Sequence, residues 1–358
     1  MRSDWTQVPT PADDNRQFLW DLFAGPFRGH AIIMDPHPVA APWPGDVAIS
    51  GRPVRDWLPY AVGNFEARVK WRQETGDDSV PYANIATGTE VLAAAFGCPV
   101  HLCEYSHPAA RPVVRTAQEA DALATPGLTA RTLERVFEFG HLLRCELGPE
   151  VPIGVPDLQS PFDIAALVWR KQDLFIAMHE KPEAVKRLVG KCQTLLNDFL
   201  TEFKRQFPNC NLIHCPLHWA PPELGCALSE DEAGSMSTQM FKEFCLPSLA
   251  NLSQAFGGLF VHCCAAADHQ YEGFKRVPNL RGMNRVFQSP GPRPAIEAFS
   301  GSTVLVMAWV GEQDVSKLLD MSLPDTRFLF NMGAQPIEES KRTYERLRLR
   351  CPRQGGQM

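Results

Sequence analysis

The stretch Gly257-Gly-Leu-Phe-Val-His-Cys-Cys-Ala-Ala-Ala-Asp-His269 decides how this chain is read. Leu259, Phe260 and Val261 form an apolar run with the look of a short buried strand. It delivers His262, Cys263, Cys264, Asp268 and His269 into the loop that must follow. Imidazole and thiolate groups so close together suit a borderline metal such as zinc, or furnish a reactive thiol. Alternation along a strand puts His262 and Cys264 on one side and Cys263 on the other. His262 and Cys264 are therefore the pair that can share an ion. The plainer reading is a pair of buried free cysteines beside a hydrogen-bonded histidine.

Working outward, the same strand-then-polar-loop pattern recurs. Strands are expected over residues 31–34, 151–155, 211–214, 259–262, 282–287, 303–309 and 327–331. Helices are expected over 182–207, 238–256 and 337–348. The first of these repeats Val185, Leu188, Val189, Cys192, Leu195, Leu196, Phe199 and Leu200 at spacings of three and four, one stripe of an amphipathic helix. Pro182 in its first turn is a start signal. Alternating strands and helices favour a parallel sheet with crossover helices. No Gly-x-Gly-x-x-Gly follows a strand and no P-loop is present, so the expected fold is an α/β (β/α)8 TIM barrel over residues 17–350. Residues 1–16 and 351–358 read as tails. In such a barrel, chemistry gathers where strands end. The residues falling there are Asp35 and His37, then His214, Cys215, His218 and Trp219, and then Glu230, Asp231 and Glu232. His262 and Cys264 follow, and after them Asn284, Gln288, Trp309 and Asn331.

Bulk properties narrow the function class. A chain of 358 residues with 44% hydrophobic and 21% charged residues is ordinary for a globular protein. A net charge of −6, with no block of Lys and Arg, argues against nucleic acid as a partner. No apolar run approaches the ~18–20 residues that span a bilayer, and the first residues lack the apolar segment of a secretory signal. Eleven irregularly spaced cysteines fit reduced thiols in the cytoplasm better than a disulfide framework.

Four separate blocks together resemble the uroporphyrinogen decarboxylase superfamily. They are Ser160-Pro-Phe-Asp163, Lys181-Pro-Glu-Ala-Val185, Glu232-Ala-Gly-Ser-Met-Ser-Thr-Gln-Met-Phe-Lys-Glu-Phe-Cys-Leu-Pro247, and Phe330-Asn-Met-Gly333 with Pro336 and Glu338. The resemblance spans about residues 17–348 and implies a (β/α)8 barrel. True decarboxylases of that family carry an Arg-Gln-Ala-Gly-Arg block that grips substrate carboxylates. Here the corresponding stretch is Gly29-His-Ala-Ile-Ile-Met-Asp-Pro-His-Pro38, without the arginine pair. A polyanionic porphyrinogen would lack its main counter-charges.

The other branch, the zinc-dependent corrinoid-linked methyltransferases, holds its metal with His-x-Cys on one strand and a Cys nearer the C-terminus. His262 and Cys264 match the first two positions. The third falls near Ala334, where no cysteine stands. Glu230, Asp231, Glu232, His214 and Cys215 are the candidates to replace it, with an acidic group, Glu230, expected. The resemblance implies a zinc methyltransferase moving a methyl group between a corrinoid (a cobalamin or a corrinoid protein) and a small acceptor. Asp35, His37 and Asp231 are then the expected catalytic groups, and His214, Trp309 and Asn331 the expected substrate contacts. Two other readings stay open. One is a lyase acting on a small acid through Asp35, Asp231 or His37; the other is a non-catalytic binding barrel.

Overall fold

A computed structural model describes residues 11–36, 43–102, 108–287 and 290–354. In chain order its strands are β1 (Ala31–Pro36), β2 (Ala83–Asn84), β3 (Val100–His101), β4 (Ala109–Ala110), β5 (Ile153–Gly154) and β6 (Cys210–Asn211). They continue with β7 (Cys226–Ser229), β8 (Leu259–Cys263), β9 (Leu280–Arg285), β10 (Val304–Val310) and β11 (Phe328–Gln335). One sheet runs β1-β11-β10-β9-β8-β7 and another β2-β5-β6, all parallel; β3 and β4 form a separate antiparallel hairpin.

Two seams join the parallel sheets into a ring. At one, Ala227 N donates to Leu212 O (2.8 Å), Ser229 N to Leu158 O (3.0 Å) and Ser160 N to Ser229 O (2.7 Å). Both residues of β5 thus pair with β6, while the chain beyond β5 pairs with β7 at Gln159 and Ser229. The short β6 is a wedge between two barrel strands at one end, so the ring is an eight-stranded (β/α)8 barrel with one inserted segment. The second seam is closed by carboxylates. Ile32 N donates to Asp78 Oδ2 (2.7 Å), Met34 N to Asp77 Oδ2 (2.8 Å), and Asp78 N to Ile32 O (3.0 Å). Arg348 and Arg353 pair with Asp78 from the C-terminal end of the chain. That neutralises a carboxylate which is fully buried.

Alternation along the strands sorts the core into two clusters. Ala31, Ile33, Ala227, Phe260, Val304, Val306 and Leu329 point inward and meet Phe18, Leu19, Leu22 and Phe23 of the N-terminal helix Pro11–Ala24, which plugs one mouth. Ile32, Met34, Leu228, Val261, Cys263, Leu305 and Phe330 face the outer helices. The interior is tight: a Cβ on Gly282 would stand 2.5 Å from Cδ1 of Phe260. Two residues further along each strand, the inward positions turn polar. His262 lies above Phe260, Asn331 above Leu329 and Asp35 above Ile33.

The expected helix over 182–207 is Pro182–Gln206, with ten buried side chains along its inner stripe. The expected helix over 238–256 is instead two, Thr238–Phe244 and Leu246–Phe256, hinged at Cys245. Pro247 lacks the N–H that would continue the first helix, and it suits the first turn of the second. Among the described residues, no helix is long and apolar enough to cross a membrane.

Candidate metal centre

The loop after β8 and the turn after β7 converge at the polar mouth. Ligand-capable atoms of Asp231, His262 and Cys264 all lie within 4.8 Å of one another. His262 Nε2 is 2.8 Å from Cys264 Sγ, and Cys264 N donates to Asp231 Oδ1 at 2.5 Å. On its other side, His262 Nδ1 is 2.6 Å from Asn284 Oδ1. Asn284 Nδ2 donates to Val306 O at 2.6 Å, which leaves Oδ1 as the acceptor facing the imidazole. The proton therefore sits on Nδ1, and Nε2 presents its lone pair to the triad. A histidine that binds metal is held this way by its second nitrogen.

Asp231 begins a short 3-10 turn, Asp231–Ser235. Asp163, near the start of helix Pro161–Val168, accepts from Asp231 N (2.6 Å) and Glu232 N (3.1 Å) and so fixes the turn. Burial first, then the nearby Glu230 and Asp231 carboxylates, raise the Asp163 pKa well above the usual carboxylate range. Cys264 is pushed up to about 11, by burial and then by Asp231 and Asp157, so without a cation it is a neutral thiol. Cys263 turns away into the outer core, its sulfur 3.8 Å from Ala265 O.

Glu230, expected as the third ligand, is not part of the triad; Asp231 stands in its place. The reason is one residue of phase. Glu230 is the last extended residue before the turn, and its fully buried carboxyl faces the outer helices, on the side of Leu228, near Ser160 and Cys245. Burial pushes it up to about 8, so it is a neutral acid near pH 7. Glu232 pairs instead with Lys171 at 2.5 Å.

The other expected residues are distributed around the mouth. His214 is buried, its Nδ1 3.3 Å from Asp157 Oδ1 and its Nε2 without a partner. Cys215 Sγ lies 3.6 Å from His262 Nδ1, on the side opposite the triad. Asn331 Nδ2 donates to Leu217 O (2.8 Å), leaving its buried Oδ1 free. Asp35 is set apart: its partner is Arg68 at 3.8 Å, and burial raises its pKa. His37 and Gln288 lie outside the described residues. His218 and Trp219 are core residues, His218 packing against Phe23 and Phe260. Asp268 pairs with Arg285 at 2.7 Å, and His269 Nε2 meets Met236 O at 2.8 Å, so both are structural.

Trp309 occupies a bulge in β10, where the register against β11 shifts between Ala308 and Val310. Its φ is +54°, and it is 64% exposed. A left-handed backbone under a bulky side chain stores strain, and bulges at strand ends re-aim side chains. Beside it a crevice of about 370 Å³ is lined by Asn284, Phe287, Pro292, Met307, Trp309 and Met321, among others. A cavity of about 460 Å³ near Arg16, Arg144 and Phe207 is lined by none of the triad residues.

Sequence reading placed Asn284 at the rim but gave it no role, and it passed over Asp157. Asp163 was visible only as the end of the Ser160-Pro-Phe-Asp163 block.

Residues 79–207 match the family model for Uroporphyrinogen decarboxylase (URO-D). No curated protein matches the chain. Among solved structures, a methyltransferase from Methanosarcina mazei superposes with a TM-score of 0.67 at 15% identity, over 92% of this chain and 97% of that one. That likeness shows the fold. The crystal structure of SacUVDE aligns over 89% of this chain and 97% of that one, at 7% identity and a TM-score of 0.34, too distant to carry an argument.

Proposed function

We propose, on the premise that the chain belongs to the uroporphyrinogen decarboxylase superfamily, that it is a zinc-dependent methyltransferase acting between a corrinoid and a small protic acceptor. The observation that carries this reading is the convergence of Asp231, His262 and Cys264, with the imidazole lone pair turned inward by Asn284. Nitrogen, sulfur and carboxylate oxygen are all zinc donors, and three protein ligands leave a fourth position for substrate.

Zinc bound there supplies Lewis acidity, lowering the pKa of a coordinated thiol or hydroxyl so that it can accept a methyl group near neutral pH. A carboxylate in place of a second thiolate makes the donor set harder, which widens the acceptors it suits towards oxygen and nitrogen. The remaining work falls to the protein. Asn284 holds the His262 ring, Asp163 holds the Asp231 turn, and the Cys264 N–H holds the Asp231 carboxylate. The missing arginine pair around Gly29-His-Ala-Ile-Ile-Met-Asp35 supports methyl transfer over decarboxylation of a polycarboxylate.

The test is spectroscopic. Zinc-loaded protein mixed with methylcobalamin and a panel of small thiols and alcohols should convert the methylcobalamin absorbance to that of demethylated cobalamin with at least one acceptor. The reading fails if zinc-loaded protein gives no acceptor-dependent change while its metal content is stoichiometric.

A further inference from the structure

We infer that His214, positioned by Asp157, is the base that takes the proton of the acceptor as it binds at the Asp231–His262–Cys264 triad. The inference rests on reading that triad as a metal centre. His214 follows the wedge strand β6, and its side chain is only 3% exposed. Its Nδ1 faces Asp157 Oδ1 at 3.3 Å, an ion-pair distance without the alignment of a formed hydrogen bond. Catalytic contacts of this kind often tighten only when substrate is bound. Asp157 is itself fixed: Thr87 Oγ1 accepts from its backbone N–H at 3.0 Å, and Gln159 Nε2 donates to its Oδ1 at 2.9 Å.

With the Nδ1 proton directed at a carboxylate, the lone pair resides on Nε2, and Nε2 has no partner. A buried imidazole nitrogen left unpaired is costly, and a substrate proton would remove that cost. The titratable groups acting on the ring are Asp157, His262 and Asp231, the Leu158 backbone also contributes, and Asp157 in turn acts on Glu90 beside Asp46. Cys215, the next residue, touches the Nδ1 side of His262, which brings this corner of the chain against the triad. Burial lowers the His214 pKa, so the ring is neutral and ready to accept.

The step balances simply. The X–H bond of the acceptor breaks, its electron pair stays on X at the fourth metal position, and the proton passes to His214 Nε2. The imidazolium so formed faces the Asp157 carboxylate. His214 is the catalytic residue and Asp157 the positioning residue.

The rate of thiolate formation tests this without turnover. Protein loaded with Co(II) in place of zinc is mixed with 2-mercaptoethanol at about pH 7.5 in a stopped-flow spectrometer, and the thiolate-to-cobalt absorption band is followed. Burial keeps the His214 pKa below its ordinary value, so the captured proton passes on to buffer and the base shows in the rate of band formation. His214→Gln should form the band about 100-fold more slowly than wild type, to the same amplitude and with the same metal content, and added imidazole should restore part of the rate. Asp157→Asn, a change at a partly exposed position, should be slowed by less with metal content unchanged; it serves as the second variant if His214→Gln does not fold. Equal rates in wild type and variants, or no thiol-dependent band in metal-loaded wild type, overturns the base assignment alone. Wild type that takes up no metal overturns the triad reading, and the base assignment with it.

Discussion

Asn284 Oδ1 lies 2.6 Å from His262 Nδ1, and this one contact determines which nitrogen of the imidazole faces Cys264. Replacing Asn284 by Ala frees the ring to rotate and to exchange tautomers. Zinc affinity, measured by competition with a chromogenic chelator, should fall about 10–100-fold. An affinity equal to wild type would mean that His262 needs no such support.

Asp231 and Glu230 are adjacent but have opposite expected phenotypes. Asp231→Asn removes an oxygen donor from the triad and should leave the protein largely metal-free. Glu230→Gln replaces a neutral buried acid with a neutral amide of the same shape and should retain the metal. Metal analysis of the two purified variants distinguishes them, and depletion in Glu230→Gln with retention in Asp231→Asn would reverse the assignment.

Glu90 provides a pH signature of the fold. Burial, and then Asp46 beside it, raise its pKa from 4.5 to about 9. Asp46 accepts from the N–H groups of Ala48 and Gly88, each at 2.6 Å. The folded protein therefore binds the Glu90 proton more tightly than the unfolded chain does. This stabilisation is complete below the unfolded pKa of 4.5, and it is lost as pH rises through the folded value of about 9. Urea denaturation should show wild type losing stability across that window relative to Glu90→Gln, by on the order of a few kcal/mol. Parallel pH profiles for the two proteins would refute the raised pKa.

Gly282 is where the barrel interior has no room. A methyl group there meets the Phe260 ring at 2.5 Å, and Phe260 is itself wedged against Phe23 with ring centroids 4.9 Å apart. Gly282→Ala should cost about 1–3 kcal/mol, read as a lowered thermal midpoint. A midpoint unchanged from wild type would show that the interior can yield.

The barrel was legible because its longer strands are apolar runs. Residues 259–262, 303–309 and 327–331 carry enough Val, Leu and Phe to declare themselves. Several short strands did not, although residues 151–155 and 211–214 did mark the two-residue β5 and β6. Ala83–Asn84 has two residues, and Cys226–Ser229 lies just after a Pro-rich loop whose Gly225 adopts a φ of +128°. Neither has the length or composition of a strand signal. The helix pair hinged at Cys245 reads as one because its apolar spacing continues across the break, and Pro247 was the available cue. At the site, strand alternation paired His262 with Cys264 and turned Cys263 away. It could not choose between Glu230 and Asp231, because the phase changes where the strand becomes a 3-10 turn. Asp157 meets His214, and Asn284 meets His262, only through barrel closure, a relation between distant segments that local pattern does not encode.

Metal content is the measurement that tests the central claim most directly. Wild type, Cys264→Ser and Cys263→Ser are reconstituted with zinc, desalted and analysed for bound metal. The account predicts about one zinc per chain in wild type and in Cys263→Ser, and strong depletion in Cys264→Ser. Zinc-free wild type, or equal loss from the two cysteine variants, would contradict it.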